Sequence, residues 1–540
     1  MKAKKVLAML MASAMIMGST ITAFAADPGT DMVYGTGDDK GTITVSGITP
    51  EAGITVTAYP IIKADYDENN NTFDGYSSLY PEIITEDVME DPENEINQTV
   101  LNQIISSLVT SESYEMSIPV DGDGTSYTAE VPVGSYLVMI EDAETRVYNP
   151  VVLSVSYEVV NNENELDEGT VIVTDDNAWV KVSEVPTIDK VITEGEEESQ
   201  GNSVNVGDTV DYEITIDPIP NYGGDHPVLN VVDTLSAGLT YNNDLTVKVV
   251  DAEGEETGLT RNTDYTLTPG TNDDGLTTLT VDFVVNNSYT LNGYVGEEVV
   301  ISYSVTVNDD ALVNEDGNNN NAVLNYTTDS KTTGNDGSDE DKTYTYTFDI
   351  DGSATGTTDI ITKVGEDEDI DALAGAVFEI YQKNASGGII PYTNGSGTLS
   401  DLDGDNVQDD VESDEAGQLY ISGLAAGTYY LKEVSAPDEY SVNTHEYQIV
   451  IATDYNDDGT LKQWTVTIDG EITSTFDVTH DSNETTMVPD INGTEIKNTK
   501  LSSLPSTGGI GTTIFTIGGC VIMVTAAGLY FATRKKEHNA

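Results

Sequence analysis

Cysteine is almost missing: the 540-residue chain has one, Cys520, inside an apolar run near the C-terminus. No disulfide can brace the rest of the chain, even in a compartment that would permit one. Basic residues are also scarce, 21 against 95 acidic ones, and six of the 21 (Lys2, Lys4, Lys5, Arg534, Lys535, Lys536) sit at the two ends. The long middle is therefore strongly acidic and repels phosphate backbones and anionic lipid, which excludes nucleic-acid partners. The acid itself reads as a device for solubility. Histidine is rare as well, with only His226, His445 and His480 between the ends. None has H-E-x-x-H spacing or lies near a G-x-S-x-G elbow, so turnover catalysis by metal or activated serine is not expected.

The ends carry targeting patterns. Lys2, Lys4 and Lys5 precede an apolar stretch from Val6 to Ile21, and Ala23-Phe24-Ala25 supplies small residues before Ala26, which reads as a secretory signal peptide over 1–25. At the other end, Ile510 to Thr533 runs without a charge into Arg534-Lys535-Lys536. That is long enough for a helix across a hydrocarbon core of ~30 Å, with the basic cluster on the cytoplasmic side, so a transmembrane helix is expected. Just ahead stands Leu504-Pro505-Ser506-Thr507-Gly508. With the apolar run and basic tail it resembles the LPxTG cell-wall sorting signal, which sortases of Gram-positive bacteria cut between Thr and Gly.

Between these ends the chain is long enough for several cores. β-branched, period-two stretches dominate: Thr42–Val45, Ile54–Tyr59, Ser135–Ile140, Thr209–Ile216, Leu229–Leu235, Val299–Val305. They read as sandwich strands bounded by Gly, Asn and Asp. Ile96, Val100, Leu101, Ile104, Ile105 and Leu108 recur instead at helical spacing and predict a short amphipathic helix. The expected fold is all-β, with tandem immunoglobulin-like sandwiches at 26–183, 184–330 and 331–500, and a sorting region at 501–540. Residues 328 to 342, rich in Thr, Asp, Gly and Lys, read as a loop or linker.

The third segment carries Gly375–Tyr381, then Gly427-Thr428-Tyr429-Tyr430-Leu431-Lys432-Glu433, then Ala436-Pro437 and Tyr440. This resembles the CnaB-type domain, whose strand reads YxLxExxAPxxY. The second opens with Ile188-Asp189-Lys190-Val191, continues with Val232-Asp233-Thr234-Leu235 and closes with Asn320-Asn321-Ala322-Val323-Leu324-Asn325-Tyr326. It resembles the fimbrial isopeptide domain. The whole is similar to backbone subunits of sortase-assembled Gram-positive pili, and the resemblance implies a location on the cell surface, anchored to peptidoglycan.

The same resemblance implies a Lys–Asn isopeptide bond in each of these two domains, made once per molecule. Burial lowers the lysine pKa so that a neutral amine can attack, and it keeps a neighbouring acid protonated to polarise the amide and carry protons to departing ammonia. By matching positions, the third set is Lys363, Asn498 and Glu433, and the second is Lys190, Asn320 and Asp233. The run Asn318–Asn321 blurs the second register, and Ala322, Leu324 and Tyr326 favour Asn320. In the first domain, aligning Gly134–Ile140 puts Ile140 where the acid belongs, so no bond is expected there.

Asp401, Asp403, Asp405, Asp409 and Glu412 occupy positions 1, 3, 5, 9 and 12 of a calcium-loop pattern, with Asn406 in place of the usual glycine. Calcium and a merely solvated acidic loop weigh equally; no cofactor is otherwise required. For linkage of Thr507 to the next subunit, Lys181 stands between Trp179 and Pro186, at the place of a W-x-x-x-V-x-V-Y-P-K pattern in backbone pilins. The Tyr-Pro-Lys run is absent, and Lys63 and Lys40 stay open as alternatives. The implied partners are sortase, identical subunits and peptidoglycan. A non-polymerised wall-anchored adhesin for a host or matrix ligand is the rival function, while a metal-dependent tip adhesin is disfavoured because no DxSxS run occurs.

Overall fold

Alternating sequence folds as strands from Lys40 to Asn498, and the computed structural model arranges them in three successive β units. It describes residues 35–537 apart from 69–70, 86–87, 90–95, 97, 109–112, 117–123, 161–169, 195–196, 223–226, 329–336, 351–359, 367–371, 391–407, 482–483 and 502–509.

In the first unit Lys40–Ser46 lies between Asp176–Trp179, parallel to it, and Ser126–Pro132, antiparallel. A second sheet centres on Thr55–Tyr66 and Gly134–Glu141. Ile43, Val45, Val56, Val138, Ile140 and Leu153 pack together between the sheets. Every residue of Gly134–Glu141 is buried, because the far face of its sheet is covered too. There the helix Gln98–Ser106 sets Leu101, Ile104 and Ile105 against Tyr59, Ile61, Leu137 and Met139. A strand covered on both faces reads as a continuous apolar run rather than an alternation.

The second unit is a sandwich. One sheet runs through Thr187–Glu194, Thr209–Asp217 and Glu298–Val307; the other sets Leu229–Leu235 between Thr277–Asp282 and Asn318–Tyr326. Residues 328–342, expected as a linker, need correction: from Gly337 to Tyr346 they form a strand antiparallel to Asn318–Tyr326, so a boundary at 330/331 cuts this sandwich. The first half of that strand has no apolar residue, which is why periodicity misses it. Its acids have another use. Asp339 and Asp341 accept the backbone N–H groups of Ile188 and Lys190, at 3.0 and 2.7 Å, and so close the edge of the facing sheet.

The third unit has a seven-stranded antiparallel sheet from Gln408–Glu412 through Val377–Tyr381, Gly427–Ser435, Glu446–Tyr455, Leu461–Ile468 and Glu471–Asp481 to Glu484–Ile491. Apart from it, Ile361–Gly365 and Thr494–Asn498, first and last in the unit, pair in parallel. Phe348, Phe378, Leu431, Ile449, Trp464 and Phe476 fill the core.

The second and third units share a bonded seam. Asn205 Oδ1 accepts from the Ala425 N–H (3.1 Å) and the Tyr429 hydroxyl (3.0 Å), and Ser203 Oγ from the Ala426 N–H (2.9 Å). Gly201 and Gly459 bring backbones so close that a Cβ on Gly201 would stand 2.3 Å from the Gly459 carbonyl oxygen.

Ile510–Glu537 is a single helix. The expected transmembrane helix is not shown: among the described residues no helix is long and apolar enough to cross a membrane. The expected signal peptide, 1–25, and the Leu504–Gly508 motif lie outside the described residues.

Candidate functional site

Strand periodicity turns Lys190 inward: in Thr187–Glu194, Ile188, Lys190 and Ile192 are buried while Thr187 and Asp189 are exposed. The same rule turns Asp233 inward on Leu229–Leu235 and both Asn318 and Asn320 inward on Asn318–Tyr326. Lys190 and Asn320 have no exposed surface, and Asp233 has 2%. Asn318 is engaged elsewhere, holding the Leu312 backbone through both its amide atoms. The Lys190 Nζ donates to Asp233 Oδ1 at 2.5 Å and to the Tyr303 hydroxyl at 2.9 Å, while Asn320 Nδ2 donates to the same hydroxyl at 2.6 Å. Tyr303 in turn donates to Asp233 Oδ2. Lys190 Nζ also stands 5.2 and 5.4 Å from the ring centres of Tyr212 and Tyr303. Desolvation lowers the Lys190 pKa despite the opposing pull of Asp233.

The third unit assembles a similar set differently. In the parallel pair, Lys363 lies opposite Ile496, and Asn498 two residues further presents its side chain to the same face. Lys363, Asn498 and Glu433 are buried, the lysine completely. The ammonium donates to Asn498 Oδ1 and lies 3.5 Å from Glu433 Oε2. Asn498 Nδ2 donates to Glu433 Oε1 at 2.7 Å, and the Asn443 backbone N–H holds Glu433 Oε2 at 2.6 Å. Burial pulls the Lys363 pKa down to about 8, although Glu433 pulls it up. A glycine makes room for this lysine: Gly417 has φ +77°, and a Cβ there would stand 2.3 Å from the Lys363 carbonyl oxygen.

Charge burial of this kind costs several kcal/mol per ion unless it is well paired. Each cluster offers what amide exchange needs: an amine eased toward neutrality, a carboxamide and an acid in reach. Tyr303 and Asn443 are missing from the sequence reading. Tyr303 shares the inward phase of Val299, Ile301 and Val305, a pattern legible in the chain, but its position over Asp233 depends on how two sheets face each other.

In the first unit Ile140 is buried among apolar residues, and Lys40, Lys63 and Lys181 are exposed. Lys181 stands between Asp176–Trp179 and Val182–Glu184, beside Trp179, which is 77% exposed. Of the calcium-pattern residues, Asp401, Asp403 and Asp405 lie outside the described residues; Asp409 and Glu412 belong to the edge strand Gln408–Glu412.

Four family models match the chain in order. Residues 38–183 match the T6 antigen Ig-like domain, 206–330 the Cna-B-like domain of the Gram-positive pilin backbone subunit 2, 358–467 a prealbumin-like fold domain, and 496–538 the LPXTG cell wall anchor motif. The trypsin-resistant surface T6 protein of Streptococcus pyogenes serotype M6 is 26% identical over 566 residues, spanning 92% of this chain and 96% of that protein. Among solved structures, the T6 backbone pilin of serotype M6 S. pyogenes is 20% identical, with a TM-score of 0.48 over 86% of this chain and 99% of that one. The full-length major pilin SpaD from Corynebacterium diphtheriae is 17% identical, with a TM-score of 0.41 over 86% and 98%. The order of pilin domains and wall anchor makes this chain a Gram-positive backbone pilin with an LPXTG cell wall anchor.

Proposed function

We propose that the chain is the shaft subunit of a covalent surface pilus, stiffened by self-made bonds between Lys190 and Asn320 and between Lys363 and Asn498. Asp233 and Glu433 act as the acids. The observation that carries this reading is the pair of wholly buried lysines, each gathered with an acid and an asparagine in a core. The Lys363–Asn498 bond ties neighbouring first and last strands, whereas the Lys190–Asn320 bond crosses between the two sheets of its sandwich. Each bond closes a loop of more than a hundred residues, which a loop-entropy estimate values at about 5 kcal/mol. Under tension the gain is larger, because force passes along the bond without opening a domain.

Sortase cuts between Thr507 and Gly508, and the acyl group passes to Lys181 of the next copy, or to peptidoglycan at the base. The exposure of Lys181 beside an exposed Trp179 supports this choice. Cells making the wild-type chain should show high-molecular-weight ladders on denaturing gels, and Lys181→Ala should collapse them to a single band. Ladders that persist in Lys181→Ala would move the linkage to another lysine, and a single wild-type band would favour the wall-anchored adhesin.

A further inference from the structure

The two clusters differ at the atom that must leave. Making the bond turns the carboxamide nitrogen into ammonia, so a proton has to reach Nδ2. In the third unit the acid touches that nitrogen directly, since Asn498 Nδ2 bonds Glu433 at 2.7 Å, and the aromatic ring over Lys363 is Phe378, which has no hydroxyl. In the second unit Asn320 Nδ2 bonds the Tyr303 hydroxyl, and it is Tyr303 that bonds Asp233. The phenol stands between the acid and the leaving group.

We infer that Tyr303 is a catalytic residue of the second-unit bond, relaying a proton from Asp233 to Asn320 Nδ2. This rests on the isopeptide reading proposed above. The neutral Lys190 Nζ attacks Asn320 Cγ, and a new C–N bond forms as the carbonyl π electrons move onto oxygen. The surplus proton on the attacking nitrogen passes to Asp233 Oδ1, its partner at 2.5 Å. Asp233, a neutral carboxyl with its own proton on Oδ2, gives that proton to the Tyr303 oxygen as Oδ1 takes the new one, while Tyr303 gives its proton to Nδ2. The carbonyl re-forms, the Cγ–Nδ2 bond breaks and ammonia departs. One amide is exchanged for another, and Asp233 and Tyr303 end as they began.

The surroundings suit a relay. Tyr303 sits mid-strand opposite Tyr212, the rings stacked at 5.5 Å, which holds the phenol oxygen in place. It accepts from two N–H groups and donates once, which uses its full bonding capacity. Burial and the adjacent Asp233 hold the phenol protonated.

The test refolds the denatured full-length chain, quenches samples over time and quantifies two proteolytic cross-links, Lys190–Asn320 and Lys363–Asn498, by mass spectrometry. In Tyr303→Phe the first should form about 100-fold more slowly, the usual scale for losing a positioned proton donor, while the second keeps the wild-type rate. Replacing Tyr303 with 3,5-difluorotyrosine keeps ring and hydroxyl but makes the phenol more acidic. The pH profile of the first cross-link should then shift and that of the second should not, whereas a merely structural tyrosine would leave both in place. Formation of Lys190–Asn320 at the wild-type rate in Tyr303→Phe, or an unmoved profile with difluorotyrosine, overturns the relay. Absence of both cross-links from the wild-type chain instead overturns the isopeptide reading.

Discussion

Two lysines without any exposed surface set the terms at the scale of single residues. Left as ions they weaken the fold, and the Lys363 site shows by how much. Its folded-state pKa of about 8 lies below the ordinary 10.5. The folded state therefore binds fewer protons than the unfolded one between these values, and stability must rise with pH across that window. Asn498→Ala leaves Lys363 a free amine. Urea midpoints of this variant should increase from pH 7 to pH 10, corresponding to about 2 kcal/mol recovered of a penalty near 3. A midpoint that is flat or falls with pH would contradict the burial of this amine. Lys363, Glu433 and Asn498 were legible through the resemblance to the CnaB-type domain, by matching positions, with Glu433 inside the YxLxExxAPxxY strand. Asn320 was legible only through its downstream neighbours Ala322, Leu324 and Tyr326, and of Tyr303 only the inward phase was, since hydrogen-bond partners across two sheets leave no mark on local pattern.

Elements explain how these side chains are held. The strand Ile361–Gly365 is held on one side by Thr494–Asn498 and on the other by the turn at Gly417, whose carbonyl accepts the Lys363 N–H at 2.7 Å. Gly417→Ala would add both a positive-φ penalty and a collision with the Lys363 carbonyl. A loss of about 1–3 kcal/mol is expected from the third unit, with slower formation of the Lys363–Asn498 cross-link and no change at Lys190–Asn320. Equal rates at both sites, measured on the same refolding time course, would show that the turn does not position the strand. Strongly alternating strands and the helix Gln98–Ser106 were readable from periodicity. The strand Gly337–Tyr346 was not, because its first half gains from backbone pairing and from acids that cap a neighbouring edge, neither of which needs apolar residues.

Across the whole molecule, robustness has to come from something other than disulfides, since the only cysteine lies in the C-terminal helix. The seam between the second and third units makes them one mechanical body. Asn205→Ala removes the acceptor for the Ala425 N–H and the Tyr429 hydroxyl. It should cost about 1–3 kcal/mol and split a joint calorimetric transition of the two units into two; an unsplit, unshifted transition would mean that the seam carries no coupling. The account as a whole stands on two covalent staples inside a backbone pilin, and the mass of the purified, processed chain tests it most directly. Each bond releases one ammonia, so the wild-type chain should weigh about 34 Da less than its residues sum to, and the Asp233→Ala, Glu433→Ala double variant should recover the full value. A wild-type mass equal to the sum of its residues would contradict the account.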